Sequence, residues 1–263
     1  MKRLRFSRKT LCIPYAVFLL FFVLVPMAVI LVYAFTDRDM HFSFMNFARF
    51  FSDPTKLSTI AYSIVIALIT TVACLLIAYP VAYILARSKM KKKFVILMLF
   101  VTPMWINFVL RVNAIRELFN WIGLLGEANY FNTVFGMVYD FLPFMILPLY
   151  TTLQKIDNSL YEASADLGGN AFTTFTRVTL PLSVPGIVSG VTMVFLPSMT
   201  NYVVSDMLGN SMVTIVGKFI YEYFGSDWHM GSMVALVLLV VVFVSTLLTG
   251  GFKSEENVRG ANL

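Results

Sequence analysis

Apolar residues run along this chain in long blocks separated by short polar stretches, and a helix needs about 20 such residues to cross a bilayer. Six blocks reach or approach that length, at roughly 11–35, 60–86, 94–112, 132–153, 180–203 and 231–250. The pattern predicts an all-α integral membrane protein of six transmembrane helices, with a basic N-terminal segment at 1–10 and a polar tail at 251–263. An even number of crossings puts both termini on one side. Lys2, Arg3, Arg5, Arg8 and Lys9 ahead of apolar residues also suit a signal peptide. The run from Leu11 to Phe35 exceeds an h-region, and no small-residue cleavage site follows it, so a retained first span is expected.

Nine of the ten prolines (Pro14, Pro26, Pro80, Pro103, Pro143, Pro148, Pro181, Pro185, Pro197) fall in or at the ends of these blocks. Each removes a backbone donor and tends to bend its helix. Bent membrane helices persist where they pack in protein or line a cavity, which favours a mobile pathway over a passive anchor.

Composition strengthens the membrane reading: the 263 residues are 59% hydrophobic and 13% charged, and mean hydropathy is +0.80. Charge adds orientation, because cytoplasmic loops collect Lys and Arg. Of the 20 basic residues, 14 lie in the N-terminus, the loop after the second span (Arg87, Lys89, Lys91, Lys92, Lys93), the 154–179 loop and the C-terminus. Those segments, and both termini, are expected to be cytoplasmic in a multi-pass protein of the cell membrane. The net charge of +6 flanks spans without interleaved aromatics, so membrane lipid explains it and a nucleic-acid partner is not expected.

The polar stretch 154–181 has internal order. Ser159-Leu160-Tyr161-Glu162 has the form of a capping box, predicting a short helix that starts near Ser159. Gly168 and Gly169 permit the positive φ that ends it, and Asn170 suits the N-cap of a second short helix with Phe172, Phe175 and Val178 on one stripe. Leu180-Pro181 then opens the fifth span at a position that tolerates proline. A helix merely lying on the bilayer would be rich in Lys and Arg, whereas 154–179 sets Lys155 and Arg177 beside Asp157, Glu162 and Asp166.

Glu162-Ala163-Ser164, three residues, Gly168, nine residues, then Val178, Thr179 and Leu180-Pro181 resembles the EAA loop of binding-protein-dependent ABC importer permeases. Ser164 in place of Ala and Val178 in place of Ile are its two departures. The resemblance implies the ABC importer permease (MetI-like) fold, with the first short helix as a coupling helix seated in a cytoplasmic ATPase. It implies ATPase-coupling roles for Ser159, Glu162, Ala163, Ser164, Asp166, Gly168 and Pro181.

The chain itself carries no motor. A phosphate-cradling loop needs G-x-x-x-x-G-K-[S/T], and the one Gly-Lys pair, Gly217-Lys218, is followed by Phe219 and lacks the earlier glycine. His41 and His229 fall in separate outer loops and read as interfacial residues, while Cys12 and Cys74 read as small buried hydrophobes. No catalytic set, cofactor or metal cluster is expected, so an enzyme is disfavoured.

Further stretches narrow the resemblance to the spermidine/putrescine permeases, and to the first, B-type, of their two subunits. These are Pro103 to Arg111, with Trp105 and Asn107; Leu142 to Tyr150 running on to Asp157; and Leu196 to Met199 with Tyr202 and Ser205 to Gly209. The resemblance implies a second homologous permease in a heterodimer, two cytoplasmic ATPase subunits and an extracytoplasmic substrate-binding protein.

A polycation needs carboxylates and aromatic faces along its path. Asp140 is the clearest acid within a span, with Glu117 and Asp206 near the outer mouth and Trp105, Tyr139 and Tyr202 as aromatic partners. Asp140 also has a structural alternative, pairing with Arg111. The rival readings are a permease for another small solute, such as an amino acid, iron complex or phosphonate, and an ion-driven secondary carrier, which would not need the docking hairpin.

Overall fold

A computed structural model describes residues 12–126, 129–210 and 213–248. The basic segment 1–10 and the tail 251–263 lie outside the described residues. The regular secondary structure of the described residues is helical apart from one isolated bridge between Thr36 and Phe42. In chain order the helices are α1 Cys12–Ala34, α2 Met45–Phe51, α3 Pro54–Arg87, α4 Lys93–Trp105, α5 Phe108–Trp121 and α6 Asn129–Gln154. They continue with α7 Asn158–Asp166, α8 Ala171–Thr200, α9 Tyr202–Leu208, α10 Val216–Ser226 and α11 Trp228–Leu248. Five helices (α1, α3, α6, α8 and α11) are long and apolar enough to cross a membrane, and α4 with α5 makes a sixth if the bent pair counts as one.

Two compact units divide the chain. The first holds the described residues through Leu57 with Phe219–Val241. There His229 Nδ1 lies 3.2 Å from the Tyr33 carbonyl and 3.3 Å from Thr36 Oγ1, and Arg38 meets Asp227 at 3.4 Å. The window of α1 that would cross the bilayer buries none of its residues in protein, as a lipid-facing helix would, and Cys12 is exposed there instead of buried as expected.

The second unit holds Ser58–Lys218 with the described residues from Val242. Its core joins Ile66, Cys74 and Ala78 of α3 to Val112 and Phe119 of α5, Met137 and Met145 of α6, Val194 of α8 and Leu208 of α9. Cys74 Sγ lies 3.8 Å from the Val138 carbonyl, and Arg87 Nη1 donates to Asn158 Oδ1 at 2.6 Å just beyond α6, so α3 and α6 run parallel. The segment between them must therefore make one net return crossing.

That return is broken, which corrects the single third span expected at 94–112. Thr102–Trp105 tightens into a 3₁₀ turn at Pro103, Ile106 turns extended, and the helix resumes at Phe108 with its axis bent by 96°. Asn107 caps the new start, accepting from Val109 N at 3.0 Å and Leu110 N at 3.4 Å. Thirteen residues of α4 reach only about 20 Å, short of the roughly 30 Å hydrocarbon core. α5 continues antiparallel along α6: Arg111 meets Asp140, Phe119 meets Phe135, and the Leu124 carbonyl accepts from Asn132 Nδ2.

Among the described residues, α6 and α8 form the most extensive helix pairing. Gly186 and Gly190, four apart, face α6 so tightly that a Cβ at Gly186 would sit 2.9 Å from the Pro148 carbonyl oxygen and one at Gly190 2.5 Å from Met145 Sδ. Small residues at this spacing let backbones approach within a membrane, where packing rather than the hydrophobic effect joins helices.

Candidate functional site

The loop between α6 and α8 is a two-helix hairpin built from local hydrogen bonds. Asp157, in extended backbone, accepts from Ser159 N at 3.0 Å and caps α7. This corrects the capping box expected at Ser159 and Glu162. Ser159 lies inside the first turn, because Asp157 two residues upstream already supplies a carboxylate acceptor to its N–H. That bond from the Ser159 backbone holds the Asp157 carboxyl below the usual aspartate range.

At the other end of α7, Gly168 takes φ +77°. Its N–H bonds the Ala165 carbonyl at 2.9 Å while Gly169 N bonds the Ser164 carbonyl at 2.8 Å, the crossed pair of a Schellman stop. A Cβ on Gly169 would lie 2.7 Å from the Ser164 carbonyl oxygen, whereas Gly168 faces open space and is needed for its backbone alone. Asn170 caps the returning helix through Thr173 N at 2.8 Å, as its position suggested. Ser164 Oγ and Thr174 Oγ1, 2.8 Å apart, tie the two arms.

The returning arm does not end before the fifth span, contrary to the expected separate helix and the span start at 180. α8 runs unbroken from Ala171 to Thr200. A π turn at Phe175–Thr179, closed by Leu180 N on the Phe175 carbonyl, comes just before Pro181. Pro181 can give no N–H to the carbonyl one turn back, and the widened turn absorbs that defect inside the helix. Phe175 packs edge-on against Tyr79 and Tyr83 of α3, at 5.7 and 6.1 Å between ring centres. The Arg87 guanidinium lies 3.5 Å from the centre of the Tyr161 ring.

The anchored hairpin presents Glu162, Ala163, Asp166 and Gly168 to solvent, together with the apolar Leu160, Leu167 and Phe172. Leu167 is 89% and Phe172 75% exposed, more than a free surface readily leaves to leucine and phenylalanine. Sequence reasoning missed Leu160 and Leu167. Their signal was present as apolar side chains beside the hairpin's two glycines.

The six residues assigned to a cation path are placed differently. Asp140, in the first half of α6, is 2% exposed and 3.0 Å from Arg111 Nη2. The approach is close but off-axis: neither Asp140 oxygen makes an aligned hydrogen bond, and the contact is an ion pair. Asp206 pairs with Lys218 at 2.7 Å. Glu117 and Trp105 are exposed, Tyr139 is 40% exposed, and Tyr202 packs against the core. The ion pairs hold two of the three acids.

In the loop after α1, Asp37, Asp39 and His41 bring ligand atoms within 4.8 Å of one another, a grouping the sequence reading did not expect. Asp37 Oδ1 is occupied there by the N–H groups of Asp39 and His41.

Residues 78–253 match the family described as binding-protein-dependent transport system inner membrane component. The chain belongs to this family. It is an integral, multi-pass permease component. This permease is 34% identical to the spermidine/putrescine transport system permease protein PotB of Haemophilus influenzae, over 90% of this chain and 91% of that one. It is 32% identical to the Escherichia coli protein of the same name, over 85% and 90%. Its fold is similar to a chain of a bacterial ABC transporter that imports the acidic polysaccharide alginate, with TM-score 0.70, 18% identity and 94% of each chain covered. It is also similar to a chain of the methionine ABC transporter, with TM-score 0.55, 19% identity and 78% of this chain covered.

Proposed function

We propose that this permease conducts spermidine or putrescine into the cell as one half of a heterodimeric, ATP-driven importer. The identity to polyamine permeases along nine-tenths of the chain carries the proposal. An extracytoplasmic binding protein delivers the polyamine to the outer mouth, and two cytoplasmic ATPase subunits receive the hairpins of this chain and its homologous partner. Both termini and the hairpin lie in the cytoplasm, in keeping with the basic residues at 87–93 beside α7.

Within the hairpin, Glu162, Ala163 and Asp166 meet the ATPase, Gly168 shapes the turn between them, and Ser159, Ser164 and Pro181 hold its frame. In the pathway, Trp105, Tyr139 and Tyr202 offer ring faces to the polycation. Asp206 and Asp140 serve it by exchanging their present cations, Lys218 and Arg111, for a substrate ammonium as the pathway opens. Such an exchange trades one opposite charge for another, which costs less than stripping a carboxylate bare. Glu117 stands near the outer mouth as a collecting charge.

The test is uptake of radiolabelled spermidine and putrescine by cells with and without the gene. Loss of both on deletion is the expected result. Unchanged uptake, with a deficit in an amino acid, iron complex or phosphonate instead, would replace the cargo and leave the importer reading intact. Cysteines at Lys91 and Asp53 should label from opposite faces; labelling from one face overturns the orientation.

A further inference from the structure

We infer that a basic cleft walled by the end of α3, the start of α4 and one side of α7 holds the phosphate of an anionic phospholipid. The cleft has a volume of about 610 Å³ and is lined by Arg87, Ser88, Lys89 and Lys93 on one side and by Tyr161 and Glu162 of α7 on the other. Among the described residues, neither lysine has an acidic partner within ion-pair distance, and Glu162 pairs with none of these cations. Three cations against one carboxylate leave the lining with an excess of positive charge.

Its place in the fold selects the anion. α3 ends at Arg87 and α4 begins at Lys93, so the cleft opens where two spans leave the hydrocarbon and headgroup phosphates lie. Arg87 lays its guanidinium on the Tyr161 ring and spends one of its five N–H donors on Asn158, leaving donors for an anion in the cleft. Lys91 and Lys92, in the same basic run, are exposed and line no part of the cleft.

Arg87 is a shared element: the group that would grip the phosphate also holds the first turn of α7. Headgroup occupancy therefore bears on how firmly the hairpin is held. That consequence rests on the coupling role proposed above, whereas the binding itself does not.

The experiment measures lipid retention by the intact purified transporter, using native mass spectrometry with phosphatidylglycerol and phosphatidylcholine as probes. Phosphatidylglycerol is expected to be retained in preference. The double substitution Lys89→Gln and Lys93→Gln should weaken retention about thirtyfold, from a contribution of roughly fivefold per basic residue. The matched pair Lys91→Gln and Lys92→Gln should leave it unchanged. Equal losses in both pairs would mean diffuse surface attraction and overturn the site, as would no loss in either. Binding of inorganic phosphate alone, without preference between the lipids, would assign the cleft to a free anion and overturn the lipid. Release of the ATPase by the first pair, with lipid retention intact, would assign it to an acidic protein partner and overturn it as well. Retention is read without transport, so a negative result here with normal polyamine uptake rejects this inference alone.

Discussion

The hairpin at 157–179 and the α5–α6 interior are held by opposite means. In the hairpin the bonds that set its shape span ten residues or fewer while Arg87 and Tyr79 of α3 anchor it, and the side chains it displays are exposed. Between α5 and α6 the defining contact joins Arg111 to Asp140 across 29 positions and is almost fully buried. Local bonding lets an exposed element keep its shape without a core, so its surface stays free for another protein. A buried pair ties its region to one arrangement until something replaces a partner.

Breaking the interior should have the largest effects. Gly186→Leu places a branched side chain where a Cβ alone would meet the Pro148 carbonyl at 2.9 Å. Overpacking of this kind costs about 3 kcal/mol and should lower the membrane level of the protein on immunoblots. Asp140→Leu alone, stranding Arg111, should cost about 3–5 kcal/mol in thermal unfolding of the detergent-solubilised protein. Adding Arg111→Met should recover most of that stability, since apolar pairs replace buried ion pairs with little loss. If the double variant is no more stable than the single, the pair does not act as a unit.

Breaking the hairpin should spare stability and abolish coupling. Gly168→Val forces a β-branched residue to φ +77°, at a local cost of about 1–2 kcal/mol. Membrane level should stay normal while uptake and ATPase association fall; normal uptake would remove the turn from the mechanism. Asn170→Ala should cost about 1 kcal/mol through its lost cap and reduce uptake only partly.

The smallest effect concerns pH. Because the folded-state pKa of Asp157 is lowered, its cap contributes fully above the ordinary aspartate value of about 4 and is lost only as pH falls through the lower folded value. ATPase association should therefore be flat with pH across the neutral range, and Asp157→Asn should alter it equally throughout. A titration near neutrality would place the controlling group elsewhere.

The same contrast sets what could be read from the residues. Gly168 and Asn170 announce their roles because each acts on backbone within four positions. Asp157 and Ser159 are both good caps two residues apart, and only the backbone at 157 decides between them. The long spans were legible through apolar length, yet the break at Ile106 and Asn107 was not, although Pro103 followed by a capping Asn is a stop and a start in close succession. Arg111 and Asp140 stood open as alternatives because pairing at such a separation depends on how far α5 walks along α6. The path acids, unlike the hairpin residues, depend on which partner is present at a given moment.

One consequence of α8 lies in its continuity. Its 30 residues make a rod of about 45 Å from the docking arm at Ala171 to the break at Asn201. Pivoting by about 5° displaces one end by about 4 Å relative to the other, on the scale of a single helical turn. The glycine contact with α6 places the fulcrum part-way along. α8 thus links the hairpin arm to the break at Asn201 through one uninterrupted helix, softened where the π turn and Pro185 weaken its bonding.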